Sequence, residues 1–287
     1  MIRYDTRNWL AILGGVRGTV LPRIAVRVVL VAAIGVAAAA LRRYDVIDLA
    51  IPGVIHTMVG VALGLLLVFR TNASYDRYWE GRRLVGHIVN NARDLVRQGA
   101  SYLTPSAHAA LRDRTVALYA TIRAYLRDER TAPEVAARLS PALRAEVEAA
   151  RCPPLVVART IADLLAAEAA AGRLGEHRLV MLDLAVSDII DALGGCERIM
   201  RTPVPFAYAH HIKGFLMLFC VSVPLALLPS MGWATGAAAA VVAYALLGID
   251  EIGVEIEDPF GYDPNDLPLD AIGDNLAVDA GQLLTDR

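Results

Sequence analysis

The sequence predicts an all-α integral membrane protein with four transmembrane helices continuous with a cytoplasmic helical bundle. Three observations predict it. Hydrophobic side chains make up 56% of the 287 residues and charged ones 20%, and the mean hydropathy is +0.45. That is too apolar for an ordinary soluble chain and too charged for one wholly inside a bilayer. Several stretches approach the ~20 apolar residues that a helix needs to cross ~30 Å of hydrocarbon. Between them apolar residues recur at helical spacing, and no alternating pattern is long enough for a strand.

The first span is expected at about residues 24–41, interrupted only by Arg27, whose stem can carry its charge to water at the span's end. The second is expected at about 49–69, with His56 as its one titratable group, placed near the periplasmic end and hydrogen-bonded locally rather than relaying protons. The third and fourth are expected at about 214–228 and 233–249, where Pro224, Pro229 and Gly232 read as a kink and a tight hairpin. The first apolar stretch begins near residue 24 with no small-residue cleavage site after it, unlike a secretory signal. Arg3, Arg7, Arg17 and Arg23 precede the first span and the middle region is rich in arginine, which puts both termini in the cytoplasm. The short loop "LRRYDVIDL" runs against that rule with Arg42 and Arg43, although Asp45 and Asp48 sit beside them.

The cytoplasmic helical region is expected over about 70–213 and 250–287. From Tyr75 to Tyr102, Leu84, Ile88 and Leu95, with Val85, Val89 and Val96, mark one helix. Thr131 and Glu134 have the spacing of a capping box, and Ser140 before Pro141 reads as a helix start. Further helices are expected at about 155–171 and 177–200.

Several functions are excluded by what the chain carries. With 28 basic and 30 acidic residues there is no basic footprint for nucleic acid. Cys152, Cys196 and Cys220 are scattered and odd in number, so they read as small buried hydrophobes, not a disulfide framework or zinc site. No nucleophile with its base, metal constellation or phosphate loop is evident, so neither an enzyme nor a cofactor is expected.

The stretch "ALGLLLVFRTNASYDRYWEGRR", residues 62–83, passes from apolar to charged without a turn residue. It reads as one helix leaving the bilayer unbroken, with Arg70 at the water boundary. Val61, Leu65 and Phe69 recur every four residues and share one face. On spacing alone that stripe is an ordinary packing face.

Three motifs and the N-terminal segment carry a resemblance. "LLLVFRTNASYDRYWEGRRLVG", "GCERIMRTPVPFAYAHH" and "EDPFGYDPNDLPLDAI" resemble, in order, signatures of the bestrophin family and of its bacterial branch in particular, and "RNWLAILGGVRGTVLPRIAVRV" is similar to its N-terminal segment. The likeness runs over nearly the whole chain and is poorest at about 105–171, where only helical character carries over. It implies a single channel domain that assembles as a homopentamer around one central pore in the bacterial inner membrane. Its partners would then be its own copies, membrane lipid and small monovalent ions. By position, Val61, Leu65 and Phe69 would ring a hydrophobic neck, which can exclude water and so block ions without a plug. A second constriction would fall at His177, with Arg178 or Val180 as alternative registrations.

Most bestrophins have an aliphatic residue at that constriction. Histidine changes charge between about pH 5 and 8, so five of them would make a proton-sensitive ring; the bland reading is a solvated helix start. Ten Asp and Glu residues lie between Asp250 and Asp279. Animal bestrophins carry a calcium cluster in this region, but Pro, Leu and Tyr separate the acids here and no converging oxygen cage is evident, so calcium is not expected. Caps and subunit contacts are the favoured roles. The bacterial branch implies a preference for cations such as sodium; chloride or another anion is the alternative, and a membrane-anchored scaffold without conduction is a third reading. A secondary transporter would need paired inverted repeats with broken helices, which the four spans do not show.

Overall fold

The computed structural model describes residues 5–15, 18–130 and 133–284, and all regular structure among them is helical. In order these are α1 (Trp9–Gly14), α2 (Leu21–Arg43), α3 (Gly53–Tyr102), α4 (Pro105–Leu126), α5 (Pro133–Arg138) and α6 (Pro141–Ala149). There follow α7 (Pro153–Ala170), α8 (Glu176–Arg201), α9 (Phe206–Met231), a 3-10 turn at Gly232–Ala234, α10 (Thr235–Glu255) and α11 (Leu269–Leu283). The chain forms two compact units. The first holds the chain up to Tyr78 with Pro203–Asp258 and Asp263–Asn265; the second holds Trp79–Thr202, Pro259–Tyr262 and the chain from Asp266 onward. The expected Thr131 cap and the pre-span Arg3 and Arg17 lie outside the described residues.

Three helical stretches are long and apolar enough to cross a membrane: Leu21–Arg43, Gly53–Tyr102 and Phe206–Glu255, the last folded at Gly232. α2 has a proline in its first turn, where no N–H is needed, and Arg42 and Arg43 in its last, where cations suit the helix dipole. It packs backbone to backbone on α10. A Cβ added to Gly35 would lie 2.8 Å from the Cα of Gly236, so this approach is open only to glycine. Small-residue contact of this kind is how helices associate in lipid, where apolar burial alone gives no drive.

α9 keeps both prolines inside one helix. Pro229 has no N–H, which leaves the carbonyl of Leu225 without its helical donor. The amide of Ile51 donates to that carbonyl at 3.2 Å and ties the α2–α3 connection to α9. The helix ends two residues past Pro229 because Gly232 takes φ +50°, a conformation that side chains disfavour. α10 then folds back, burying Ala239 and Ala243 in the core shared with Leu216 and Phe219 of α9. The hairpin expected from Pro224, Pro229 and Gly232 is present, and its turn belongs to the glycine.

In the second unit α4 is the centre, buried along most of its length from Ala107 to Leu126. Tyr119 on it donates to the carbonyl of Leu269 at 3.0 Å, which joins α4 to the start of α11. Burial pushes the Tyr119 phenol up from its ordinary value. α6 starts as expected, with Ser140 accepting from the amide of Leu143 at 3.4 Å and proline in its first turn. Glu134 pairs with Arg123 at 3.1 Å. The helices expected at 155–171 and 177–200 are α7 and α8.

Candidate pore-lining surface

α3 is a single helix of 50 residues, so the change from apolar to charged does occur inside one rod. Two of its faces are sharply different. Leu63 and Leu67 are 0% and 1% exposed and pack with Ile24 of α2, Leu216 and Phe219 of α9 and Ala243 of α10. Arg70 and Ser74 continue that buried face at helical spacing. Turning at ~100° per residue, Val61, Leu65 and Phe69 fall roughly opposite. They are 72%, 55% and 57% exposed. Met58 and Val68 widen the exposed apolar surface on either side. The stripe is therefore not a packing face within this chain.

Arg70 departs from expectation. Rather than reaching water it points into the first unit and is 2% exposed. Its guanidinium pairs with Asp250 of α10, itself 4% exposed, through a short hydrogen bond, and lies 3.7 Å from Glu257. The cause is rotational. With Leu63 and Leu67 facing the core, position 70 must face it too, and a buried guanidinium requires a partner. Asp250 lay one residue past the expected end of the fourth span, which hid the pair. The sequence signal was there, since an arginine and an aspartate both border apolar stretches.

The acids after Ile249 are mostly held by arginines of the same chain. Arg23 contacts Glu255 at 2.9 Å and Asp263 at 2.6 Å, and Arg27 contacts Glu251 at 3.3 Å. In the second unit Arg127 grips Asp270 with two bonds of 3.0 Å and Arg93 meets Asp279 at 2.7 Å. Arg127 is the main cause that holds the Asp270 carboxyl below the usual range. Among the described residues no three His, Cys, Asp or Glu side chains gather in a metal-binding group.

His56 bonds across to α9, its Nε2 lying 2.9 Å from the Ser222 hydroxyl. The same hydroxyl lies 2.7 Å from the carbonyl of Leu218, one turn back on α9. His177 is exposed in the first turn of α8. The alternative positions Arg178 and Val180 are exposed too, Arg178 with its guanidinium over the Tyr102 ring at 5.1 Å. In the motif at the end of α8, Tyr125 donates to Glu197 while Arg201 reaches the Tyr125 oxygen at 2.5 Å. Burial, aided by Glu197, pushes the Tyr125 phenol up to about 12. Cys196 is fully buried, which pushes its thiol up to about 12 and leaves it inert.

The family model described as Bacterial/Fungal Bestrophin protein matches residues 1–281. The chain belongs to the bestrophin family. Among similar proteins, a voltage-dependent anion channel-forming protein of Nostoc sp. is 39% identical over 93% of this chain and 88% of its own length. One of the same description from Synechocystis sp. is 34% identical over 97% and 92%. A crystal structure of a bacterial bestrophin homologue from Klebsiella pneumoniae superposes with a TM-score of 0.83 at 28% identity, covering 90% of this chain and 96% of that one. Family, fold and apolar helices together make this bestrophin a membrane protein.

Proposed function

We propose that this bestrophin is a homopentameric channel of a bacterial inner membrane that conducts small anions through a neck ringed by Val61, Leu65 and Phe69. The exposed apolar face of α3, set opposite a face that packs and ion-pairs within the chain, is the observation that carries the reading. A five-fold axis would give that face its own copies as neighbours, and an apolar ring can gate by excluding water. On this reading α2, the first part of α3, α9 and α10 are four crossings, both termini are cytoplasmic, and the two units together form one channel domain. His177, with Arg178 or Val180 as alternative registrations, would ring a second constriction; all three are exposed at the start of α8.

Anions take precedence over the sodium expected from the bacterial motifs because the relatives from Nostoc and Synechocystis are named for anion channels. A cation channel is the second reading. It is favoured by Asp183, Asp188 and Asp191, all exposed on α8, since rings of acid select cations. Light scattering of the detergent-solubilised protein should give the mass of five chains. Leu65→Ala and Phe69→Ala should raise unitary conductance or open probability by lowering the dewetting barrier. A monomer, or unchanged currents in assembled mutants, would remove the proposed neck.

A further inference from the structure

Arg42 and Arg43, which run against the charge rule for the α2–α3 connection, line a cavity of about 380 Å³ with Asp45, Leu228, Gly232 and Trp233. The cavity lies within the first unit, where the end of α2 meets the turn between α9 and α10. Local backbone does not consume the arginines. α2 is closed by its own chain, the amides of Asp45 and Val46 donating to the carbonyls of Arg42 and Leu41 at 3.2 and 3.0 Å. Asp45 takes φ 52° to make that turn. Arg42 touches Asp48 at 3.5 Å, a loose contact, and Arg43 makes no ion pair among the described residues. Around the cavity Tyr44 is 74% exposed, Val46 67%, Ile47 51% and Trp233 56%.

Two unlike requirements meet here. An exposed apolar fringe this dense is unfavourable in water, and aromatic side chains concentrate where bilayer meets water. A guanidinium at that depth seeks an oxyanion, and the phosphate of a lipid headgroup matches its fork of donors. We infer that this cavity is a phospholipid site, in which Arg43 with Arg42 holds the headgroup phosphodiester and the exposed Trp233 borders its glycerol and acyl chains. A soluble phosphate would satisfy the arginines but leave the apolar fringe uncovered. The lipid charge also accounts for two arginines in a connection that the positive-inside pattern would leave without them. The inference needs a membrane but no particular permeant ion.

Native mass spectrometry of the full-length protein in detergent, titrated with dioleoyl phosphatidylglycerol, dioleoyl phosphatidylethanolamine or dioleoylglycerol, tests it. Wild type should bind both phospholipids and bind the phosphate-free diacylglycerol much less. Arg43→Ala should weaken phospholipid binding about tenfold, the size of one charge-assisted contact. Arg43→Lys should recover part of it, and Arg144→Ala, on exposed α6, should change nothing. The same spectra report whether each variant keeps the wild-type assembly, and a millimolar excess of inorganic phosphate should leave the lipid bound. Equal phospholipid binding by wild type and Arg43→Ala, or equal binding of diacylglycerol and phospholipid by wild type, would overturn the site. Displacement of the lipid by inorganic phosphate alone would replace it with a soluble-anion site.

Discussion

Asp250→Asn keeps the side chain's shape and removes its charge, leaving the guanidinium of Arg70 buried beside a weaker partner. Both groups are almost fully inside the first unit, with side-chain exposures of 3% and 4%, so solvent screening offers little relief. Removing one member of such a pair costs about 3–5 kcal/mol, because the other charge stays buried and uncompensated. Glu257, at 3.7 Å, supplies residual compensation and puts the expected loss at the low end, about 3 kcal/mol. At 1.4 kcal/mol per decade that is roughly a hundredfold in the folded-to-unfolded ratio. The double variant Arg70→Met/Asp250→Leu removes both charges and keeps apolar volume, so it should recover most of the loss. SDS titration in mixed micelles, followed by circular dichroism, measures both variants against wild type. A loss below about 1 kcal/mol for Asp250→Asn, or a double variant no more stable than Asp250→Asn, would refute the reasoning. In that case the buried ion pair adds little to the stability of the first unit.

Other perturbations address separate parts of the structure. Gly236→Val places a branched side chain against α2, where even a Cβ would lie 2.6 Å from Val36 and 3.0 Å from the Ala32 carbonyl; the same titration should show a loss of about 1–3 kcal/mol or more. Glu168 is held below the usual carboxylate range chiefly by its hydrogen bond from Arg173. Its contribution to stability should therefore be complete above the unfolded value of ~4.3 and vanish as pH falls through the lower folded value. Glu168→Gln should lower stability at neutral pH and flatten acid unfolding in that window, as read by melting temperature against pH. If five copies of His177 ring an exit, His177→Arg should raise the chloride-to-sodium permeability ratio and His177→Asp should lower it. An unchanged ratio in both variants would assign His177 to a solvated helix start.

The apolar stretches, the unbroken α3 and the start of α6 at Ser140 were legible because each is written in neighbouring residues: composition, the lack of a breaker, a hydroxyl before proline. Partners distant in sequence were not. Spacing shows that Val61, Leu65 and Phe69 share a face but not whether that face packs, which is decided by where Leu63 and Leu67 meet α9. Arg70 looked like a boundary residue until the same rotation carried it towards Asp250. The central place of α4 was hidden because a helix buried on nearly every side has no clear polar face to mark its orientation. Pro229 suggested a helix end, whereas an amide from residue 51, far away in the chain, satisfies the carbonyl it frees.

Anion conduction is the central claim. The direct measurement is the reversal potential of unitary currents from the purified wild-type protein in planar bilayers under a sodium chloride gradient, with no other permeant ion present. The account predicts discrete openings that reverse near the chloride equilibrium potential. Reversal near the sodium equilibrium potential would contradict anion conduction and favour the aspartates of α8 as the selecting groups, and a silent bilayer from protein of pentameric mass would contradict the channel itself.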